Sequence, residues 1–279
     1  MVAAVGSYVD AKFHQGKWLV RIEDLDTPRN VKGAADDILH TLEAYGLHWD
    51  EGIIYQSQRT AAYEEAFNRL KESGTVYPCS CSRKEIADSA LILGDELIYP
   101  GTCRKGLQQG KPARAWRIRV EKTRISLADQ IQGSVTQHLA TEVGDFVVLR
   151  SDGLFAYQLA VVVDDAFQGI THVVRGADLL LSTPRQIYLQ RLLGLEPPTY
   201  MHLPVALNER GEKLSKQTLA QPVEKNSSPT TLFDALVFLR QQPPVELQHD
   251  SSEQILAWAI SNWRPETISN CRQRMVGDA

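Results

Sequence analysis

A chain of 279 residues, 43% of them apolar, is long enough to bury the core of one large α/β domain or two small ones. Its formal net charge of −4 excludes a global basic field, so a nucleic-acid partner must be met by a local patch of cations. No apolar run approaches the roughly 18 residues of a membrane span, no signal peptide is read at the start, and four cysteines, three of them clustered, point to a reducing cytoplasm rather than a secreted disulfide framework. Residues 2–14 read as a helix with Val2, Val5, Val9 and Phe13 on one face; no capping residue precedes it. Residues 18–22 read as a short buried strand between Gly16 and Thr27-Pro28. In 33–45, Ile38, Leu42 and Tyr45 are spaced for one helical face, with Gly46 as the cap. A further helix, 59–73, ends at Gly74. The stretch 75–110, with three cysteines and several Gly and Pro, reads as an irregular insertion. Strands are expected at 115–120, 146–149 and 172–174, and a helix at 183–193 with Pro184 in its first turn and Gly194 as its stop. Residues 220–230 are polar and contain proline, which suggests a linker, and two short helices follow at 232–239 and 252–263. Alternating strands and helices favour a mostly parallel sheet with helices on both faces. The expected division is a domain over 1–219 carrying the 75–110 insertion, a linker over 220–230 and a short helical region over 231–279.

Four constellations can carry chemistry. The first is Arg21, Glu23, Asp24 and Asp26 at a strand end, where ligands bind in open α/β sheets. Three carboxylates beside one arginine can hold a ligand ammonium, or pair among themselves on a solvated edge. In the second, a helical 157–164 puts Tyr157, Ala160, Val161 and Asp164 on one face. A phenol and a carboxylate there need partners. Arg175, before Gly176, adds a planar cationic fork suited to a carboxylate; the alternative is a structural pair of Asp165 with Arg175. The third is a glycine-led loop from Gly211 with Lys213, Ser215 and Lys216. Two lysines three apart can clamp the charge that grows on a triphosphate as its α-phosphorus is attacked, or can simply be solvated. The fourth is Cys79 and Cys81, with Cys103 after a 21-residue gap, a spacing suited to zinc. No histidine lies between His48 and His138. A fourth ligand from the insertion is therefore Asp95, Glu96, Tyr99 or a water; the alternative is three inert reduced thiols. Cys271 stands apart and is read as a bystander.

In this order, RIEDLD (21–26), YQLAVVVDD (157–165), THVVRGADL (171–179) and HLPVALNERGEKLSK (202–216), with the helix 183–193 between the last two, resemble the glutamyl branch of class I aminoacyl-tRNA synthetases. The likeness covers most of residues 1–217, and KLSK corresponds to that class's second signature loop. Ordinary glutamyl-tRNA synthetases continue into a large helical domain that reads the anticodon. Here about sixty residues follow KLSK. Their pattern (Phe238 to Gln242, Ile255 to Trp258, Asn262 to Arg264) is similar to the short tail of the glutamyl-Q tRNA(Asp) synthetase family, as is the cysteine insertion.

The resemblance implies an α/β, Rossmann-type catalytic domain with a zinc-binding insertion and a short helical C-terminal part. It implies ATP-dependent activation of glutamate to glutamyl-adenylate, and transfer to queuosine at the wobble position of tRNA(Asp). The implied partners are glutamate, ATP with Mg2+ as substrate, and tRNA(Asp) carrying queuosine; a monomer with no membrane association is expected. Carried onto this sequence, Glu23 holds the α-ammonium of glutamate, and Tyr157 and Arg175 fix its carboxylate end. Lys216 and Ser215 bind ATP, Lys213 supports Lys216 in catalysis, and Cys79, Cys81, Tyr99 and Cys103 hold a structural Zn2+. The class's first signature, an Arg–Ser strand followed by a HIGH-like motif, is not found before Met1. Either the natural protein is longer, or this is a short form with little adenylation activity. The first is expected, because an orphaned strand position exposes backbone groups and apolar area. The rival functions are a truncated ordinary glutamyl-tRNA synthetase-like protein and a non-catalytic RNA- or nucleotide-binding remnant.

Overall fold

Helix α1 (Val2–Phe13) buries Val5 and Val9 completely. At Gly6 an added Cβ would stand 2.6 Å from Leu203 Cδ1, so the missing side chain lets the helix lie close against the central sheet. Phe13, expected on the buried face, is exposed, because the last turn runs out past the core into exposed residues 13–17. The structure is a computed structural model and describes residues 1–26, 30–89, 91–93, 96–107, 109–214, 223–224 and 227–277.

Strand β1 (Arg21–Ile22) pairs in parallel with β2 (Ile54–Tyr55) across helix α2 (Ala34–Ala44). The strand expected over 18–22 is shorter because Trp18 bonds elsewhere. Its N–H donates to Asp50 Oδ2 at 2.8 Å, and its carbonyl accepts the Asp50 N–H. In α2, Leu42 and the following Tyr45 are buried, but Ile38 of the expected face is exposed. Gly46, at φ +73°, supplies the left-handed turn after the helix. Helix α3 (Thr60–Glu72) follows.

The insertion is more regular than expected. It holds β3 (Val76–Cys79), α4 (Arg83–Ser89), and the antiparallel pair β4 (Leu91–Leu93) and β5 (Glu96–Ile98). β3 pairs antiparallel with β6 (Ala115–Ile118). Next come the hairpin β7 (Arg124–Asp129) and β8 (Gly133–His138), helix α5 (Leu139–Glu142), and β9 (Val147–Leu149), which pairs with β6. Helix α6 (Tyr157–Phe167), β10 (His172–Gly176), α7 (Thr183–Leu193), β11 (Thr199–Leu203) and β12 (Val205–Leu207) complete the first 214 residues.

The central sheet has the order β10-β11-β7-β8, parallel except for β8. The fold is thus mixed α/β, with more antiparallel pairing than expected. In the central sheet the reversal is made by the tight return between Asp129 and Gly133, where Gly133 sits at φ +74°; the other antiparallel pairs are β3–β6, β6–β9 and β4–β5.

Residues 220–222 and 225–226 of the expected linker lie outside the described residues, and α8 (Ser228–Phe238) already begins within it. α8, α9 (Ser252–Ser261) and the following Trp263 share one core with α1: Leu232, Leu236, Ile255 and Trp263 pack with Val5, Val9 and Leu203. β13 (Gln273–Met275) pairs in parallel with β12. A second core lies around α3, α6 and α7. No helix among the described residues is long and apolar enough to cross a membrane.

The Trp263 indole donates to Asp10 Oδ1 at 2.9 Å in a buried contact that ties the C-terminal residues to α1. Asp10→Ala strands that donor and is expected to lower stability by about 1–3 kcal/mol. Asp10→Asn keeps an acceptor and should cost less. Urea denaturation of the two variants checks the order.

Candidate active site

Among the described residues β10 pairs only with β11, and β1 only with β2. Between these two free edges runs a cleft of ≈ 640 Å³, walled by residues 17–23 of the first edge, by residues 168–175 of the second, and by α1 and α6. Glu23, Tyr157 and Arg175 all line it. Three points far apart in sequence therefore meet, as residues of β1, α6 and β10 line the same cleft and Arg21 of β1 bonds Asp165 of α6.

The charged run after β1 does not act as one unit. Arg21 donates from Nη2 to Asp165 Oδ1 at 2.8 Å and from Nη1 to Gln168 Oε1 at 2.7 Å, with Glu23 at 3.6 Å. Asp24 turns away to accept from the Ser57 N–H and hydroxyl, and Asp26 Oδ2 pairs with Arg150 at 2.9 Å. Of the three carboxylates, Glu23 alone faces the cleft.

On α6, Tyr157, Val161 and Asp165 line the cleft. Helical spacing puts Asp164 on the face of Tyr157, where it needs a partner. Seven residues carry it about 10 Å along the axis, so it meets other neighbours. It is fully buried and accepts from Gln56 Nε2 at 2.9 Å, Arg59 Nε at 2.6 Å and Tyr63 Oη at 2.7 Å. That role is structural.

Arg175 does not pair with Asp165. Its Nη2 donates to Thr183 Oγ1 at 2.9 Å and Gln186 Oε1 at 2.7 Å, and its Nε to His202 Nε2 at 3.0 Å. The partners are neutral, and among the described residues no carboxylate lies within salt-bridge distance of it. Thr183, Gln186 and His202 escaped sequence reading. The signal for His202 was present, as an ionisable side chain inside an apolar strand must have partners.

The Glu23 side chain is 41% exposed, yet partial loss of hydration in the cleft raises its carboxyl above the ordinary range, against the pull of Arg21 and Arg175. Asp165 is raised too, by burial, with Arg21 opposing. The Tyr157 phenol is pushed up by burial and by Glu23. The cleft thus combines two reluctant carboxylates with an arginine that lacks an anionic partner, an arrangement suited to a zwitterionic ligand carrying both charges.

The glycine-led loop lies near the same strand end. Lys213 forms an isolated bridge with Leu207, and its Nζ reaches Asp178 Oδ2 at 2.6 Å, three residues beyond Arg175. Ser215 and Lys216 lie outside the described residues.

The insertion gathers its cysteines. Cys81 Sγ and Cys103 Sγ are 3.6 Å apart, and Tyr99 Oη is 3.4 Å from Cys79 Sγ and 3.5 Å from Cys81 Sγ. All are free thiols, and the three sulfurs lie within 4.8 Å of one another. Asp95 and the Glu96 side chain, the other oxygen candidates, lie outside the described residues. Zn–S bonds of about 2.3 Å set at tetrahedral angles require sulfur–sulfur edges of about 3.8 Å, so the set fits that ion. Arg117 supports it, donating from Nε to Cys79 Sγ at 3.4 Å with its guanidinium 4.0 Å above the Tyr99 ring.

The family model described as "tRNA synthetases class I (E and Q), catalytic domain" matches residues 2–239. A glutamyl-Q tRNA(Asp) synthetase of Dechloromonas aromatica is 59% identical over 278 residues, covering 99% of this chain and 92% of that protein. The corresponding protein of Aromatoleum aromaticum is 57% identical, covering 94% of this chain and 83% of its own. Among solved structures, a glutamate tRNA ligase from Elizabethkingia meningosepticum in complex with its amino acid superposes with a TM-score of 0.79 at 21% identity. That match covers 99% of this chain and 63% of the ligase, and it supports the Rossmann-like fold.

Proposed function

Because the chain belongs to the class I glutamyl- and glutaminyl-tRNA synthetase family, and within it to the glutamyl-Q tRNA(Asp) synthetases, we propose that it activates glutamate with ATP and transfers it to queuosine of tRNA(Asp). A glutamate carboxylate oxygen attacks the α-phosphorus of ATP and pyrophosphate leaves, giving glutamyl-adenylate. A nucleophile on queuosine then takes the glutamyl group and AMP leaves. Glu23 holds the α-ammonium, and Tyr157 with Arg175 grips the carboxylate end. Those pairings are the ones charge complementarity favours. Lys216, with Ser215 beside it and Lys213 in support, steadies the phosphates of Mg2+-bound ATP. Cys79, Cys81, Cys103 and Tyr99 hold a structural zinc. The reading carries a cytoplasmic setting with it, supported by four free cysteines.

One observation carries this reading: Glu23, Tyr157 and Arg175 converge on one cleft, and among the described residues Arg175 has only neutral hydrogen-bond partners there. Glutamate-dependent ATP–pyrophosphate exchange without tRNA is the expected result. An absolute tRNA requirement favours an ordinary glutamyl-tRNA synthetase-like activity. Glutamate or RNA binding with no exchange favours the non-catalytic remnant.

The acid limb of kcat/KM for glutamate should lie above the ordinary glutamate pKa of about 4.3. Glu23 must be ionised to hold an ammonium, and the cleft's partial dehydration raises its pKa, so binding is lost as pH falls through that elevated value. The observed value belongs jointly to Glu23 and Asp165, which interact. A pH series of exchange rates at low glutamate measures it. An acid limb at or below the solvated value sinks the assignment.

A further inference from the structure

We propose that Asp129 and His202 are positioning residues that orient Arg175 by fixing one tautomer of a buried imidazole. The proposal rests on reading Arg175 as the anchor of the substrate carboxylate. The three side chains run across adjacent strands. His202 is the register partner of Arg175 between β11 and β10, and Asp129 pairs with Tyr200 at the junction of β7 and β11.

Both ends of the imidazole demand the same protonation. Asp129 Oδ2 stands 2.6 Å from His202 Nδ1, and both side chains are fully buried. Its Oδ1 accepts the backbone N–H of Ile131, Gln132 and His202 at 3.1, 2.8 and 3.2 Å. Burial opposes ionisation of Asp129, but these hydrogen bonds prevail and hold its carboxyl below the usual range. A carboxylate only accepts, so Nδ1 carries the proton. At the other end Arg175 Nε–H points at Nε2 from 3.0 Å, and a guanidinium only donates, so Nε2 must offer a lone pair. Thr183 Oγ1 also approaches Nε2, at 3.2 Å. Burial lowers the imidazole pKa and the Arg175 cation lowers it further, against Asp129, so the ring stays neutral.

The guanidinium is therefore held at Nε by His202 and at Nη2 by Thr183 and Gln186, while Nη1 has no hydrogen-bond partner among the described residues. A carboxylate placed directly on Arg175 would occupy the fork and cancel its charge. Setting the carboxylate one ring farther back steadies a half-buried cation without blocking it.

A bare staple between β7 and β11 would use the same Asp129–His202 bond, so the test separates the two roles. In the full chain, glutamate and ATP affinities are measured by calorimetry, and the Arg175 Nε–H is followed by nitrogen-15 NMR. Asp129→Asn turns a donor toward Nδ1 and forces the proton onto Nε2, facing Arg175. Glutamate affinity should fall on the order of 10–100-fold, the scale of a misplaced anchor, with ATP affinity unchanged. His202→Gln puts an amide oxygen near the position of Nε2 and should stay within a few-fold of the wild type, on the same scale. His202→Asn keeps a donor near Nδ1 but no acceptor for Arg175, and should lose as much as Asp129→Asn. The reverse order, Asn tolerated and Gln not, marks a staple and overturns the proposal. A wild-type chain that binds no glutamate overturns the proposed function instead. The NMR signal then still decides: protection of the Arg175 Nε–H in the wild type and His202→Gln but not in Asp129→Asn supports the relay, and equal protection in all three overturns it.

Discussion

Replacing Arg175 by alanine should lower kcat/KM for glutamate in pyrophosphate exchange by about 10²–10³-fold and leave the KM for ATP nearly unchanged. Truncating one partner of a desolvated charge pair costs about 2–5 kcal/mol, and each 1.4 kcal/mol is about tenfold. Arg175 is the place for so large an effect because its existing partners, Thr183, Gln186 and His202, are neutral and leave its charge to the ligand. Arg175→Lys should recover little. A lysine keeps the charge but lacks the planar fork, and it cannot engage those three acceptors while presenting a further donor to a carboxylate. Circular dichroism of both variants shows whether the fold survives, since the substitution also leaves polar partners unfilled. Exchange within a few-fold of wild type in a folded Arg175→Ala protein sinks the role assigned to this side chain.

The second large effect concerns the insertion. Purified under reducing conditions, the protein should carry about one zinc per chain. Cys103→Ala should lose it, and Cys271→Ala should not, because Cys271 lies outside the group formed by Cys79, Cys81 and Cys103. Apparent zinc affinities of about 10–16 kcal/mol make such sites part of local folding. Here the little core of Tyr77, Cys79, Tyr99 and Cys103 has few apolar residues of its own to hold the insertion shut. Loss of zinc should therefore expose residues 75–110 to limited proteolysis while the helices around α1 remain protected. Metal analysis and a proteolysis time course read both outcomes. A wild-type protein free of zinc, or a Cys103→Ala protein that retains it, removes the metal from the account.

Much of the local structure was legible in the sequence. Helix α7 runs from Thr183 to Leu193 with Gly194 at φ +69°, as Pro184 and Gly194 foretold, because turn chemistry and helical spacing act over a few residues. The hairpin β7–β8 was not foreseen, although β7 alternates exposed and buried residues as a half-buried strand should; its partner β8 is mostly polar and carries little such signal. Ile38 and Phe13 stood correctly in their helical registers, yet both are exposed, because periodicity marks a face without saying how far the core extends beneath it.

By itself the sequence determined which chemical groups were available and in what order: a carboxylate at Glu23, a phenol at Tyr157, a guanidinium at Arg175, and three clustered thiols. Only the tertiary structure decided who meets whom. Arg21 finds Asp165 across 144 residues, so among the described residues Arg175 has no carboxylate at salt-bridge distance, and Ser57 and Arg150 draw Asp24 and Asp26 away from the cleft. The physical reason is that such pairings depend on strand order and helix placement. Burial of apolar area over the whole chain sets these, and no local pattern encodes them.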